Sequence, residues 1–186
     1  MVQITALWLP IVVSAVFVFL VSFVVHMVLP YHRSDFGKLA SEDEAMDALR
    51  KLNVPPGDYM MPCGSGPASM KDPAFIEKMK KGPVALLTVM KSGAPNMNAN
   101  LVQWFVFSVV VGVIAAYVAG RALAPGADYR SVFRFAGVTA FVAYSLAQWQ
   151  DSIWYGRKWS TTIKNNIDGL VYALVTAGTF GWLWPK

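Results

Sequence analysis

Residues 6–29 read ALWLPIVVSAVFVFLVSFVVHMVL, 24 positions without one Asp, Glu, Lys or Arg. A helix needs ~20 consecutive apolar residues to cross the hydrocarbon core of a bilayer, so this run is long enough. Pro10 stands where a first-turn proline is tolerated, and from Ile11 to Leu29 only Ser14, Ser22 and His26 are polar. The N-terminal flank carries no Lys or Arg, the run exceeds the apolar core of a signal peptide, and no small-x-small cleavage site follows. It is therefore expected to persist as a permanent helix. Leu101 to Leu123, Val132 to Gln150 and Ile167 to Trp184 repeat its character. The expectation is an all-α integral membrane four-helix bundle. Residues 1–29 are the first transmembrane helix, 30–99 a membrane-apposed cap of helix and loop, and 100–186 three further transmembrane helices.

Composition agrees. Of the 186 residues 55% are hydrophobic and only 15% charged, a balance that fits water poorly and excludes a disordered chain. The formal charge of +5 forms no basic stripe, because residues 30–100 hold nine Lys/Arg against eight Asp/Glu. The excess lies beside the spans, at Arg121, Arg130, Arg134, Arg157, Lys158, Lys164 and Lys186, where topology accounts for it and a nucleic-acid partner does not. Cys63 is the only cysteine, so neither an intramolecular disulfide nor a cysteine-cluster zinc site can form.

Within the cap, Ser41 followed by Glu44 reads as a capping box opening an amphipathic helix over Glu42 to Leu52. Asn53 and Pro55-Pro56 stop it. Gly57 to Asp72 is rich in glycine and proline and reads as irregular loop. Asp72 and Pro73 open a second short helix, which Gly82-Pro83 ends. Pro83 to Met90 is apolar but too short to span; strand, interfacial segment and lid all remain open, and a membrane-surface lid is favoured.

Alternation of four spans brings particular ends to one face. His26 closes the first helix, Gln103 opens the second, Gln148 and Asp151 close the third, and Asn165 and Asp168 open the fourth. Tyr144, Gln148, Asp151 and Tyr155 share a stripe if helix three continues that far, and Asn165, Asp168, Tyr172 and Thr179 make another on helix four. Polar groups at membrane depth turn inward, so the two stripes are expected to face each other and line a pocket. The face that holds them also carries more of the Lys and Arg near span ends. That places residues 30–99 and the loop 151–164 in the cytoplasm of a bacterial inner membrane, with both termini outside.

Each candidate has a plainer reading. With Asn165 as N-cap, Asp168 would serve the first turn of its helix, and Asp151 would pair with Arg157 or Lys158 in solvent. His26 and His32 are the only histidines and could ligate a metal or haem, with Cys63 as a third ligand. Six residues apart, however, they align poorly on one helix, and Pro30 interrupts it. Met60, Met61 and Cys63 have the ligand type for a soft metal. No G-x-S-x-G, P-loop, H-E-x-x-H or dinucleotide fingerprint is present, so no catalytic residue or cofactor is assigned.

The segment Asp151-Ser152-Ile153-Trp154-Tyr155-Gly156-Arg157-Lys158-Trp159, followed by Asn166-Ile167-Asp168-Gly169, resembles a family of small four-helix bacterial membrane proteins of unknown function. In that family a Gly-basic-x-Trp turn joins the last two helices. The likeness covers about the last 40 residues and the four-span plan, and it implies no activity. Gly112, Ala115, Ala116, Ala119 and Gly120 on the second span suggest a close-packing face. The favoured expectation is thus a non-catalytic bundle that assembles with itself or with other membrane subunits, with lipid as its surroundings. The alternatives are a small transporter or proton-coupled protein using the pocket, and a metal- or haem-dependent membrane enzyme.

Overall fold

Each of the four apolar runs becomes a long helix, but with displaced ends. The computed structural model describes residues 1–186 and is mostly helical. In chain order it contains α1 (Trp8–Phe23), α2 (Glu42–Lys51), β1 (Gly57–Met61), α3 (Pro73–Lys81), β2 (Ala85–Val89), α4 (Met97–Ala122), α5 (Tyr129–Ser145), α6 (Trp149–Tyr155) and α7 (Trp159–Trp182). A 3₁₀ turn at Ile4–Leu7 leads into α1, and a π-helical turn at Val24–Val28 follows it. Ile4–Val28 and Met97–Ala122 are the two helical stretches long and apolar enough to cross a membrane.

Contacts divide the chain into two units, Met1–Phe36 with Asn96–Lys186, and Gly37–Pro95. In the first, α1 packs on α4 and α7, and α5 packs on the same two helices, closing a ring of four. Many of the side chains between them are small, packed around Leu7, Val18, Val111, Val132 and Phe180. Ala115, Ala116, Ala119, Ala136, Ala140, Ala173 and Ala177 are buried, with Ser14, Ser108, Thr176 and Thr179 among them. The hydroxyls are satisfied within their own helices, Ser14 donating to the Ile11 carbonyl at 3.0 Å and Thr176 to that of Tyr172 at 2.9 Å. The small face of α4 is turned onto α1: a Cβ added at Gly112 would stand 3.3 Å from the Ile11 carbonyl oxygen, and one at Gly120 2.7 Å from that of Val2. Large apolar side chains point outward instead, including Val12, Phe17 and Leu20 on α1, Val106 and Ile114 on α4, Val138 and Val142 on α5, and Ile163, Leu170 and Leu174 on α7.

The third apolar run is not one continuous helix. α5 stops at Ser145, a 3₁₀ turn covers Leu146–Gln148, and α6 restarts at Trp149. The Gln148 side-chain amide donates to the Tyr144 carbonyl at 2.8 Å, so that acceptor is held by a side chain at the break. The fourth helix begins at Trp159, well before the apolar run at Ile167. Thr161 and Thr162 donate their backbone N–H groups to the Lys158 carbonyl, and the Thr162 and Ser152 hydroxyls meet at 2.6 Å, tying α7 to α6. The expected loop 151–164 is therefore mostly helix, turning only at Gly156–Lys158, where Gly156 takes the left-handed conformation.

The expected cap is also revised. Residues 30–36 belong to the helical unit, and Gly37–Pro95 forms the second unit. There α2 and α3 fall close to their expected places; Asp72 accepts from the Ala74 N–H at 3.0 Å, whereas Ser41 caps α2 without a side-chain hydrogen bond. The stretch read as loop contains β1, and the stretch favoured as a lid is β2. They pair antiparallel with Tyr59 opposite Leu87, and Thr88 donates to Asp58 at 2.7 Å across the pair. The alternating exposure along β2 is what an edge of apolar and polar side chains gives once a partner strand is present.

Gly112→Leu forces α1 and α4 apart and should lower stability by about 1–3 kcal/mol, read from unfolding in detergent. Val113→Leu, one residue away on the outward face, should stay within about 0.5 kcal/mol. At the N-cap of α5, the Asp128 carboxylate accepts from Ser131, which holds it below its ordinary value of 3.8. A depressed folded value stabilises above the unfolded one and is lost as pH falls through the folded one. An acid titration of unfolding should therefore show Asp128→Asn losing less stability below pH 3.8 than the parent.

Candidate functional site

Pro30 ends the first helix and opens a short 3₁₀ turn, Pro30–Ser34. That turn carries Tyr31 and His32 back toward the bundle, and Asp35 follows it. α7 presents Thr161, Lys164, Asp168 and Tyr172 at i, i+3, i+7 and i+11, one face of a helix. The two segments interlock through side chains. His32 is gripped by two carboxylates, its Nδ1 lying 2.6 Å from Asp35 Oδ2 and its Nε2 2.8 Å from Asp168 Oδ2. The Tyr31 hydroxyl donates to the other oxygen of Asp168. Lys164 Nζ donates to the Tyr31 carbonyl at 2.6 Å, to Ser34 Oγ at 2.7 Å and to Asp35 Oδ1 at 2.9 Å. Burial pushes the Asp35 carboxyl up, but the hydrogen bonds from Lys164 and His32 outweigh it and hold it below 3.8. Asp35 and Asp168 bring two carboxyl groups to the cluster, and His32 and Lys164 are the basic groups that face them.

A cleft of about 430 Å³ opens beside Asp168, lined by His26, Trp104, Phe107, Ala143, Tyr144, Ala147, Gln148, Asn165, Asp168 and Tyr172. Of the residues expected from the sequence to line a pocket, His26, Tyr144, Gln148, Asn165 and Asp168 meet there. Gln103 does not; it is exposed on α4. Asp151 does not either, because the break after Ser145 takes α6 off the stripe of Tyr144 and Gln148. It pairs instead with Arg157 at 3.3 Å, both side chains largely in the open. Asp168 is not a capping residue: α7 starts nine positions earlier, which puts its carboxylate about 14 Å along the helix. It is 4% exposed. Tyr172, equally buried, has a hydroxyl with no hydrogen-bond partner.

The two histidines come together despite their spacing, ring centroids 4.7 Å apart and edge to face, because Pro30 turns the chain. Their third neighbour with a ligating atom is Asp168; Cys63 belongs to the other unit, exposed in a loop. Reading the sequence missed Tyr31, Asp35 and Lys164. The usable signal was the α7 spacing of Lys164 and Asp168 together with His32-x-x-Asp35, two polar pairs flanking apolar runs.

Compared with known protein families, curated proteins and solved structures, the chain finds no match, so its own geometry carries the functional argument. Lys164→Met removes three hydrogen bonds and leaves Asp35, its side chain 8% exposed, without its cation. A stability loss of roughly 3 kcal/mol, the low end for breaking a buried pair, is expected in detergent unfolding. Adding Asp35→Asn should recover part of it, as a double-mutant cycle would measure.

Proposed function

We propose that this chain is a small transporter of the bacterial inner membrane, with α1, α4, α5 and α7 all crossing the bilayer and a small cationic solute binding in the cleft beside Asp168. The observation that carries the reading is the cleft itself. Residues from all four helices converge on a space of about 430 Å³ that contains a buried carboxylate and an unpaired tyrosine hydroxyl. A buried carboxylate in the wall of a cleft between helices is a candidate to hold a solute or a proton. The carboxyl group in the lining favours a cationic solute over an anionic one.

The bundle's distribution of side chains supports the membrane part of the proposal. Small and hydroxyl-bearing residues occupy its centre and large aliphatics its outer surface on every helix, a pattern suited to lipid and poorly suited to water. On this reading the cleft faces the cytoplasm, where the excess of basic residues lies, and both termini are outside. The small residues of α4 that suggested association with other subunits are engaged with α1 inside the same chain. That leaves the assembling bundle without the surface that motivated it.

A transporter exposes its pocket to each side in turn. In a Cys63→Ser background, Gln148→Cys should react with a membrane-impermeant thiol reagent in inverted vesicles and more slowly in right-side-out ones. Leu170→Cys, on the outward face of α7, should react in neither. Reaction of Gln148→Cys from one face only would overturn transport, and reaction from neither would overturn the pocket.

A further inference from the structure

The geometry points to a divalent transition-metal site formed by His26, His32 and Asp168 at the mouth of this cleft, which makes a borderline metal dication the solute. The inference rests on the pocket reading above. One ligating atom from each of the three residues lies within 4.8 Å of the other two. Around a tetrahedral zinc with bonds of about 2.0–2.1 Å, such atoms stand roughly 3.4 Å apart. The longest separation therefore has to close by little more than an ångström, while the His32–Asp168 pair at 2.8 Å opens by about half of one. His26 can supply that movement. It lies in the exposed π-helical turn after α1 and takes no part in the hydrogen bonds that fix His32 and Asp168.

The surroundings are those of ligands held in place. Asp35 would keep the Nδ1 proton of His32, so that a metal displaces the proton shared between Nε2 and Asp168 and takes that nitrogen as its ligand. Asp35 is itself anchored by Lys164, and the second oxygen of Asp168 is occupied by Tyr31. A clamp that only fastened the Pro30 turn to α7 would need His32 and the two carboxylates. It would have no use for His26, whose ring nevertheless stacks edge-on against that of His32. Two carboxyl groups beside the histidines favour a cation over an anion. Two imidazoles and one carboxylate suit zinc, cobalt, nickel or ferrous iron and disfavour magnesium and calcium, which take oxygen. With three protein ligands, a fourth position remains on the cleft side, beside Gln148, Asn165 and the unpaired Tyr172 hydroxyl. An open position characterises sites that exchange what they hold, in contrast to closed structural ones.

Cobalt(II) is the probe, because its visible absorption reports coordination directly. Purified full-length protein with Cys63→Ser, stripped by chelator, should bind one cobalt per chain with the intense bands of a four- or five-coordinate ion, and zinc should displace it. His26→Ala and His32→Ala should each weaken binding more than Asp35→Asn does, and Asp35→Asn should weaken it about 10–100-fold. His26→Ala removes no hydrogen bond from the cluster, so it keeps the test valid if variants at Asp168 fail to fold. Absence of one-to-one binding of either metal, or binding indifferent to both histidine variants, overturns the metal site. If Gln148→Cys is still labelled from both faces in that case, the pocket stands with another solute; if labelling fails as well, the pocket reading has fallen independently.

Discussion

A carboxylate buried on the inner face of a helix has to be matched, and Asp168 sets the terms for everything near it. It is 4% exposed in a helix whose opposite face carries Ile163, Leu170 and Leu174. Removing a charge from water without partners costs several kcal/mol, so the fold must bring it donors. α7 cannot supply them all from its own backbone at mid-helix. They come from the turn after α1: Tyr31 gives a hydroxyl and His32 a ring nitrogen. That requirement explains why the chain breaks at Pro30 and doubles back, and why Asp35 and Lys164 follow as a second charged pair that holds the turn in place.

The bundle around this cluster is closely packed. Alanine, glycine, serine and threonine make many of its contacts, with Leu7, Val18, Val111, Val132 and Phe180 buried among them, and the helices approach closely enough that Cβ atoms at Gly112 and Gly120 would press on a neighbouring backbone. In the lipid setting proposed above, close packing of small residues would stand in for the hydrophobic effect. The hydroxyls turn back on their own helices, so polar residues enter the core without needing partners across it. Side-chain hydrogen bonds between segments gather at the end that holds Asp168, while at the other end Trp184 donates to the Ala124 carbonyl.

The helices and the pocket's inward stripe on α7 could be read from the sequence, because apolar runs and the spacing of Asn165, Asp168 and Tyr172 are local properties. What failed was the treatment of each helix as coextensive with its apolar run. α7 begins at Trp159 because hydroxyls of Thr162 and Ser152 meet across α6 and α7, a contact between segments that hydropathy does not record. α5 ends at Ser145, with the Gln148 amide on the Tyr144 carbonyl, and Asp151 leaves the stripe as a result. The strand pairing of Gly57–Met61 with Ala85–Val89 joins segments separated by a helix, so neither segment alone announced it. His26 and His32 were disfavoured as a pair because they could not share one helix. The proline that forbids the shared helix is the residue that brings their rings together.

The same logic locates the site's sensitivity. Seven of its groups come from two short segments, Tyr31, His32, Ser34 and Asp35 from the turn, Thr161, Lys164 and Asp168 from α7. The turn has no regular structure of its own to rely on beyond one 3₁₀ segment, and it is held almost entirely by what α7 offers. A rotation of α7 by one residue position, about 100° about its axis, would withdraw Lys164 and Asp168 together and release the turn. Conversely, a ligand that draws His26, His32 and Asp168 toward one point tightens α1 against α7 at that end. Close approaches at Gly112 and Gly120 hold α4 to the N-terminal part of the chain, so in the proposed transporter opening would fall at the end that holds the charges.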